Sequence, residues 1–218
     1  MKQLIEDSPL ILMEAAIVEQ LRRSGNFTLH QSLLNAPLIY DMKGRVTLSK
    51  LYQSYIDIAA EAELPFLMCT PTWRANKSRV FWSNVSHSIN ADASTFMKEI
   101  RDVQGNSNLA IKIGGMIGCK NDCYLPDQGL SIAESERFHS WQVGQLADAG
   151  VDFLIAETLP NIAEATGIAK AMATTGLPYI ISFVINRNGN VLDGTGLSEA
   201  IGFIDSSITL KPLGYMVN

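Results

Sequence analysis

Two glutamates are the residues best placed to do chemistry. Glu157 directly follows the apolar run Phe153-Leu154-Ile155-Ala156, and Glu14 directly follows Leu10-Ile11-Leu12-Met13. A carboxylate at the tip of a buried strand has lost much of its water and must find a cation or hydrogen bonds. For Glu157, position alone leaves two readings: a contact to a substrate ammonium, or a carboxylate satisfied by the positive end of the helix beginning beyond Pro160. Glu14 has the same choice, with a structural salt bridge as its alternative. The other polar or small residues just past apolar runs are Thr70, Thr72 and Trp73, then Gly114, Gly115 and Cys119, then Thr158, Ser182 and Asn218.

Other chemistries find less support. Three cysteines, Cys69, Cys119 and Cys123, make an odd number and suit reduced thiols better than a disulfide framework. Cys119 and Cys123 are four apart with no histidine close by, and two sulfurs do not complete a four-ligand zinc site. Ser182 has no histidine placed to activate it. His30 falls in a polar insertion, His87 in a Ser/Asn-rich turn and His139 on a helix, all more in keeping with solvated or structural roles. A net charge of −5, with no basic cluster beyond Arg22-Arg23, argues against nucleic acid as a partner. No apolar stretch approaches the roughly 20 residues of a membrane span, and acids occupy the N-terminus where a signal peptide would be apolar. A soluble cytoplasmic protein with no membrane partner is expected.

These residues need a scaffold that gathers strand ends. Apolar runs at Leu10–Met13, Pro65–Cys69, Leu109–Ile113, Val151–Ala156, Pro178–Val184 and Leu213–Val217 suit strands buried on both faces of a parallel sheet. Helical stripes lie between them. Leu48, Leu51, Tyr52, Tyr55, Ile58, Ala59 and Ala62 form one, with Thr47 or Ser49 as its cap. A second runs from Ile162 to Ala173, after Pro160-Asn161 and before Gly176. Ser131 with Glu134 predicts a capping box for a third. Asn26–Arg45 reads as an extended loop, and Asn186–Asn190 as a tight turn between Ile185 and Val191. An open doubly wound sheet should carry a glycine-rich turn after its first strand, but the chain there reads Glu14-Ala15-Ala16-Ile17. The fold class expected is therefore α/β, a β/α barrel of the TIM type, with chemistry at the C-terminal ends of its strands.

Several motifs together resemble the homocysteine S-methyltransferase family. They are Asp152–Asn161 with Glu157, Gly176–Phe183 with Ser182, Leu192–Thr195 and Gly214–Asn218. Tyr55–Ala62, Cys69–Asn76 and the glycine loop Gly114–Cys119 with Tyr124 are similar to its earlier segments. The resemblance implies a (β/α)8 barrel that moves a methyl group from S-methylmethionine, S-adenosylmethionine or a betaine-like donor to the thiolate of homocysteine, giving methionine. It implies a zinc ion held by cysteine thiolates, Glu157 binding the homocysteine amino group, and Glu14, Thr72, Trp73, Ser182 and Asn218 as further substrate-binding positions. Zinc would strip the proton from a thiol whose free pKa is about 8.5.

Two departures stand out. The family's first-strand acid is followed by glycines and a Gly-Thr pair; here the segment is Glu14-Ala15-Ala16-Ile17-Val18-Glu19. The family's first zinc cysteine directly follows the position of Asn218, and its other two lie near an eighth strand. The 218 residues are therefore expected to be one barrel domain with about six of eight βα units, lacking strands seven and eight, without zinc and inactive alone. The alternative is a non-catalytic homologue that binds a small molecule or partner and has lost the metal chemistry.

Overall fold

The computed structural model describes residues 1–105 and 109–218. The apolar runs form six strands: β1 (Leu12–Met13), β2 (Phe66–Cys69), β3 (Ile111–Gly118), β4 (Phe153–Leu159), β5 (Tyr179–Phe183) and β6 (Gly214–Val217). All neighbours are parallel, and their order in the sheet is their order in the chain. A doubly wound sheet reverses direction at a switch point; this one never does. It is the curled sheet of a β/α barrel, with six strands among the described residues. β1 pairs there only with β2, and β6 only with β5.

Alternation along the strands makes two apolar layers. Phe66, Met68, Leu154, Ala156 and Ile181 face the helices in the main core. Leu67, Cys69, Phe153, Ile155 and Ile180 face the other side, where Met1, Leu4, Ile11, Met13 and Met116 pack on them. Burial on both faces explains runs with no polar alternation.

The helices are α1 (Lys2–Asp7), α2 (Ile17–Ser24), α3 (Met42–Glu61), α4 (Lys77–Phe81), α5 (Ile89–Asp102), α6 (Ile132–Asp148), α7 (Ile162–Ala173) and α8 (Leu197–Ser207). The capping box of Ser131 and Glu134 opens α6, and Asn161 caps α7 by accepting from the Glu164 N–H. Asn186 N–H donates to Asn190 O at 2.8 Å, and Ile185 bridges Val191, closing the small turn expected there. No described helix is long and apolar enough to cross a membrane.

Three local expectations are corrected. The long helix α3 begins at Met42, capped by Asp41, whose carboxylate accepts from Gly44 N–H at 2.7 Å; neither Thr47 nor Ser49 is the cap. The segment 26–45 is consequently shorter as a loop, and it contains a 3-10 turn at Ala36–Tyr40. Gly114–Gly118 is strand rather than loop. A Cβ on Gly114 would stand 2.5 Å from the Phe153 ring, and one on Gly118 would stand 2.6 Å from the Trp73 indole nitrogen. Glycine is present because neighbouring rings fill the space a side chain would need.

Candidate functional site

Sequential parallel strands bring their C-terminal ends to one side, and a cavity of about 440 Å³ opens there. Glu14 reaches it from the end of β1. Its Oε1 accepts the Cys69 N–H at 2.8 Å, while its Oε2 is buried with no hydrogen-bond partner among the described residues. Glu157 reaches it from β4, opposite Gly118 on β3.

A bulge follows Glu157. Ala156 pairs with Ile181 and Leu159 with Phe183, so Glu157 and Thr158 together oppose the single residue Ser182. Thr158 takes φ +58°, a left-handed backbone that β-branched residues avoid. Both Glu157 and Thr158 line the cavity, and Leu159 is returned to the helix-facing core. Trp73 Nε1 donates to Glu157 O at 3.2 Å and lies in the space left by Gly118. Arg74 covers the Trp73 ring, its guanidinium 4.7 Å from the centroid, and donates to Asn121 O at 2.7 Å.

The electrostatics follow from this burial. Loss of water pushes the Glu157 carboxyl up to about 7. Burial first, and then the charge of Glu157, pushes Glu14 up to about 8. Near neutral pH the pair therefore holds a proton unless a cation replaces it. An unpaired buried oxygen beside a second acid is the setting that one ammonium group satisfies.

Of the positions singled out from sequence, the structure brings Glu14, Trp73, Glu157 and Asn218 together on the cavity wall. Thr72 and Ser182 do not line it. Thr72 is fully buried, sharing a hydrogen bond with the Thr70 hydroxyl at 2.6 Å and donating to Met116 O at 2.7 Å; Thr70 is on the wall instead. Ser182 is buried in β5, beside Met216 of β6. Sequence reasoning missed Tyr52. It sits in the α3 stripe, yet its ring lines the cavity and its hydroxyl donates to Cys69 O at 2.8 Å. Two tyrosines, Tyr52 and Tyr55, in an otherwise aliphatic stripe were the available signal. Cys123, expected only to be a reduced thiol, also lines the cavity.

The donor set does not fit a zinc centre. Among the described residues no three His, Cys, Asp or Glu side chains come together to hold a metal ion. Cys69 is enclosed in β2, and burial pushes the thiols of Cys69, Cys119 and Cys123 up, away from the thiolate that zinc requires.

Comparison with known proteins converges on one group. A family model described as homocysteine S-methyltransferase matches residues 11–218. The homocysteine S-methyltransferase of Escherichia coli (strain K12) is 32% identical over 94 residues, 42% of this chain and 30% of that protein. The match thus spans under a third of that relative's length. Homocysteine S-methyltransferase YbgG of Bacillus subtilis (strain 168) is 23% identical over 225 residues, covering 98% of this chain and 70% of its own. Among solved structures, the metallated form of the E. coli homocysteine methyltransferase MmuM superposes with a TM-score of 0.80 at 18% identity, covering 98% of this chain and 76% of that one. The apo form gives 0.71 at 16% identity, covering 99% and 74%. At such identities the structural likeness speaks for the fold.

Proposed function

This chain belongs to the homocysteine S-methyltransferase family, and from that premise we propose that its cavity binds homocysteine, with the ammonium group held by Glu157 and Glu14. The observation that carries the reading is the pair of half-buried acids in one cavity, with the Glu14 Oε2 atom buried and without a hydrogen-bond partner among the described residues. Trp73 and Asn218 form walls around the bound amino acid, and Thr72 and Ser182 support the wall from behind. The reaction served is methyl transfer from S-methylmethionine, S-adenosylmethionine or a betaine-like donor to the homocysteine sulfur, giving methionine.

That reaction needs a thiolate acceptor. A free thiol is mostly protonated at neutral pH, and the donor set of these residues does not fit the zinc that would ionise it. We read residues 1–218 as one barrel domain that binds the acceptor and does not transfer the methyl group alone. The same donor set also favours a second reading, a homologue that binds small molecules without catalysis.

Titration calorimetry with L-homocysteine, with and without zinc, tests the site, and mass spectrometry for methionine with each donor tests the chemistry. Micromolar to millimolar binding that is insensitive to zinc, without methionine, is expected. Absence of binding overturns the site assignment; methionine production overturns the claim that the chain is inactive alone.

A further inference from the structure

A fully buried carboxylate lies outside the cavity. Glu164, at the third position of α7, is 1% exposed. A glutamate there commonly folds back onto the cap residue's own N–H, as Glu134 does in α6. Glu164 instead turns towards the connection between β3 and α6. Its Oε1 accepts the Lys120 N–H at 2.7 Å, and its Oε2 accepts the Leu130 N–H at 3.3 Å. Fully buried His139 of α6 places Nε2 3.0 Å from the same Oε1.

One carboxylate therefore gathers both ends of the segment 120–130. The first turn of α7 adds a further hold, since Asn161 Nδ2 donates to Pro126 O at 3.1 Å. Asn161 also stands so close to Gly129 that a Cβ there would lie 2.4 Å from its amide nitrogen. Asp122, Cys123 and Tyr124, between these anchors, form one wall of the cavity. Long connections between a strand and a helix are mobile by default, and this one is tied down at both ends by a group that does not itself line the cavity.

We infer that Glu164 is a positioning residue: by accepting the Lys120 and Leu130 N–H groups it sets the wall formed by Asp122, Cys123 and Tyr124, and so the shape of the ligand pocket. The pocket's ligand rests on the function proposed above, but the position of the wall does not, and a thiol-accessibility measurement reads it without any ligand.

The experiment compares Glu164→Gln, Glu164→Ala and His139→Gln with the parent protein. An amide at 164 can accept from one end of the segment but opposes its NH₂ to the N–H at the other. Alkylation by N-ethylmaleimide under native conditions, mapped by mass spectrometry, should be at least about tenfold faster at Cys123 in both Glu164 variants. Cys69, enclosed in the sheet, should be unchanged. His139→Gln keeps a donor to Oε1 and should stay within about twofold of the parent. Affinity for L-homocysteine should fall at least about fivefold in the Glu164 variants. Equal acceleration at Cys69 and Cys123, or none at Cys123, overturns the inference. Unchanged thiol rates and no homocysteine binding in the parent would sink both readings separately. Should neither Glu164 variant fold, hydrogen exchange in the parent decides: the Lys120 and Leu130 amides must exchange as slowly as those of α7, and fast exchange at either refutes the clamp.

Discussion

The backbone N–H of Cys69 satisfies one oxygen of Glu14 at 2.8 Å and leaves the other buried, with no hydrogen-bond partner among the described residues. β1 and β2 thereby fix the carboxylate in place while leaving it one interaction short. With Glu157 beside it, the site is more stable when it holds a proton or a cation.

Ligand affinity should consequently rise with pH. The raised values, about 7 for Glu157 and about 8 for Glu14, mean that both acids are protonated at pH 5.5 and progressively ionised towards pH 8. An ammonium ligand binds the ionised form, so the L-homocysteine affinity should increase about tenfold or more over this interval. About one proton should be released per ligand near neutral pH, read by calorimetry in buffers of different ionisation enthalpy. A flat profile would refute the carboxylate pair as the ammonium site.

The same shifts set the stability of the free protein, with the opposite sign. Carboxylates whose pKa is raised on folding bind more protons in the native state than in the unfolded one, so stability falls as pH climbs from the ordinary value of 4.5 towards 7–8. Glu14→Gln imitates the protonated form. It should match the parent near pH 4 and melt several degrees higher at pH 8. Parallel melting curves across that range would count against the burial assigned to Glu14.

How much of this was readable from sequence depends on whether a signal is local. Strands buried on both faces leave continuous apolar runs, and an acid directly after such a run is conspicuous, so β2, β4, Glu14 and Glu157 all stand out. Gly114 and Gly118 mislead because glycine commonly marks loops. Here their reason is the Phe153 ring and the Trp73 indole, which come from distant parts of the chain. The cap Asp41 was hidden in a polar segment, and Tyr52 in a stripe that also served the core. The Glu164 clamp joins groups 25 to 44 residues apart and has no sequence signature.

Gly118→Ala tests the packing of Trp73 against the sheet. A methyl group there would meet the indole nitrogen and the Trp73 carbonyl, each at 2.6 Å. The backbone atom cannot swing aside as a side-chain tip can, so the variant should lose about 1–3 kcal/mol of stability. It should also shift tryptophan emission and weaken L-homocysteine binding, because the Trp73 bond to Glu157 O would be displaced. Chemical denaturation and fluorescence decide it; unchanged emission would show that Trp73 does not depend on the glycine.

Thr158 offers a test in which strain and chain entropy compete. A β-branched residue held at φ +58° costs about 1–3 kcal/mol. Glycine removes that strain but makes the unfolded chain freer by about 0.5–1 kcal/mol, which leaves a small net gain. Asparagine tolerates the left-handed region without the extra freedom, so Thr158→Asn should stabilise more than Thr158→Gly, by about 1 kcal/mol over the parent. Both variants should retain the bulge that keeps Leu159 in the helix-facing core of the parent. The Thr158 hydroxyl donates to Glu157 O, and the side chain occupies the cavity beside that residue. Affinity for L-homocysteine should therefore fall in both variants even as their melting temperatures rise. If Thr158→Asn melts below the parent, the left-handed backbone is not a source of strain at this bulge; if affinity is unchanged, the side chain has no part in the pocket.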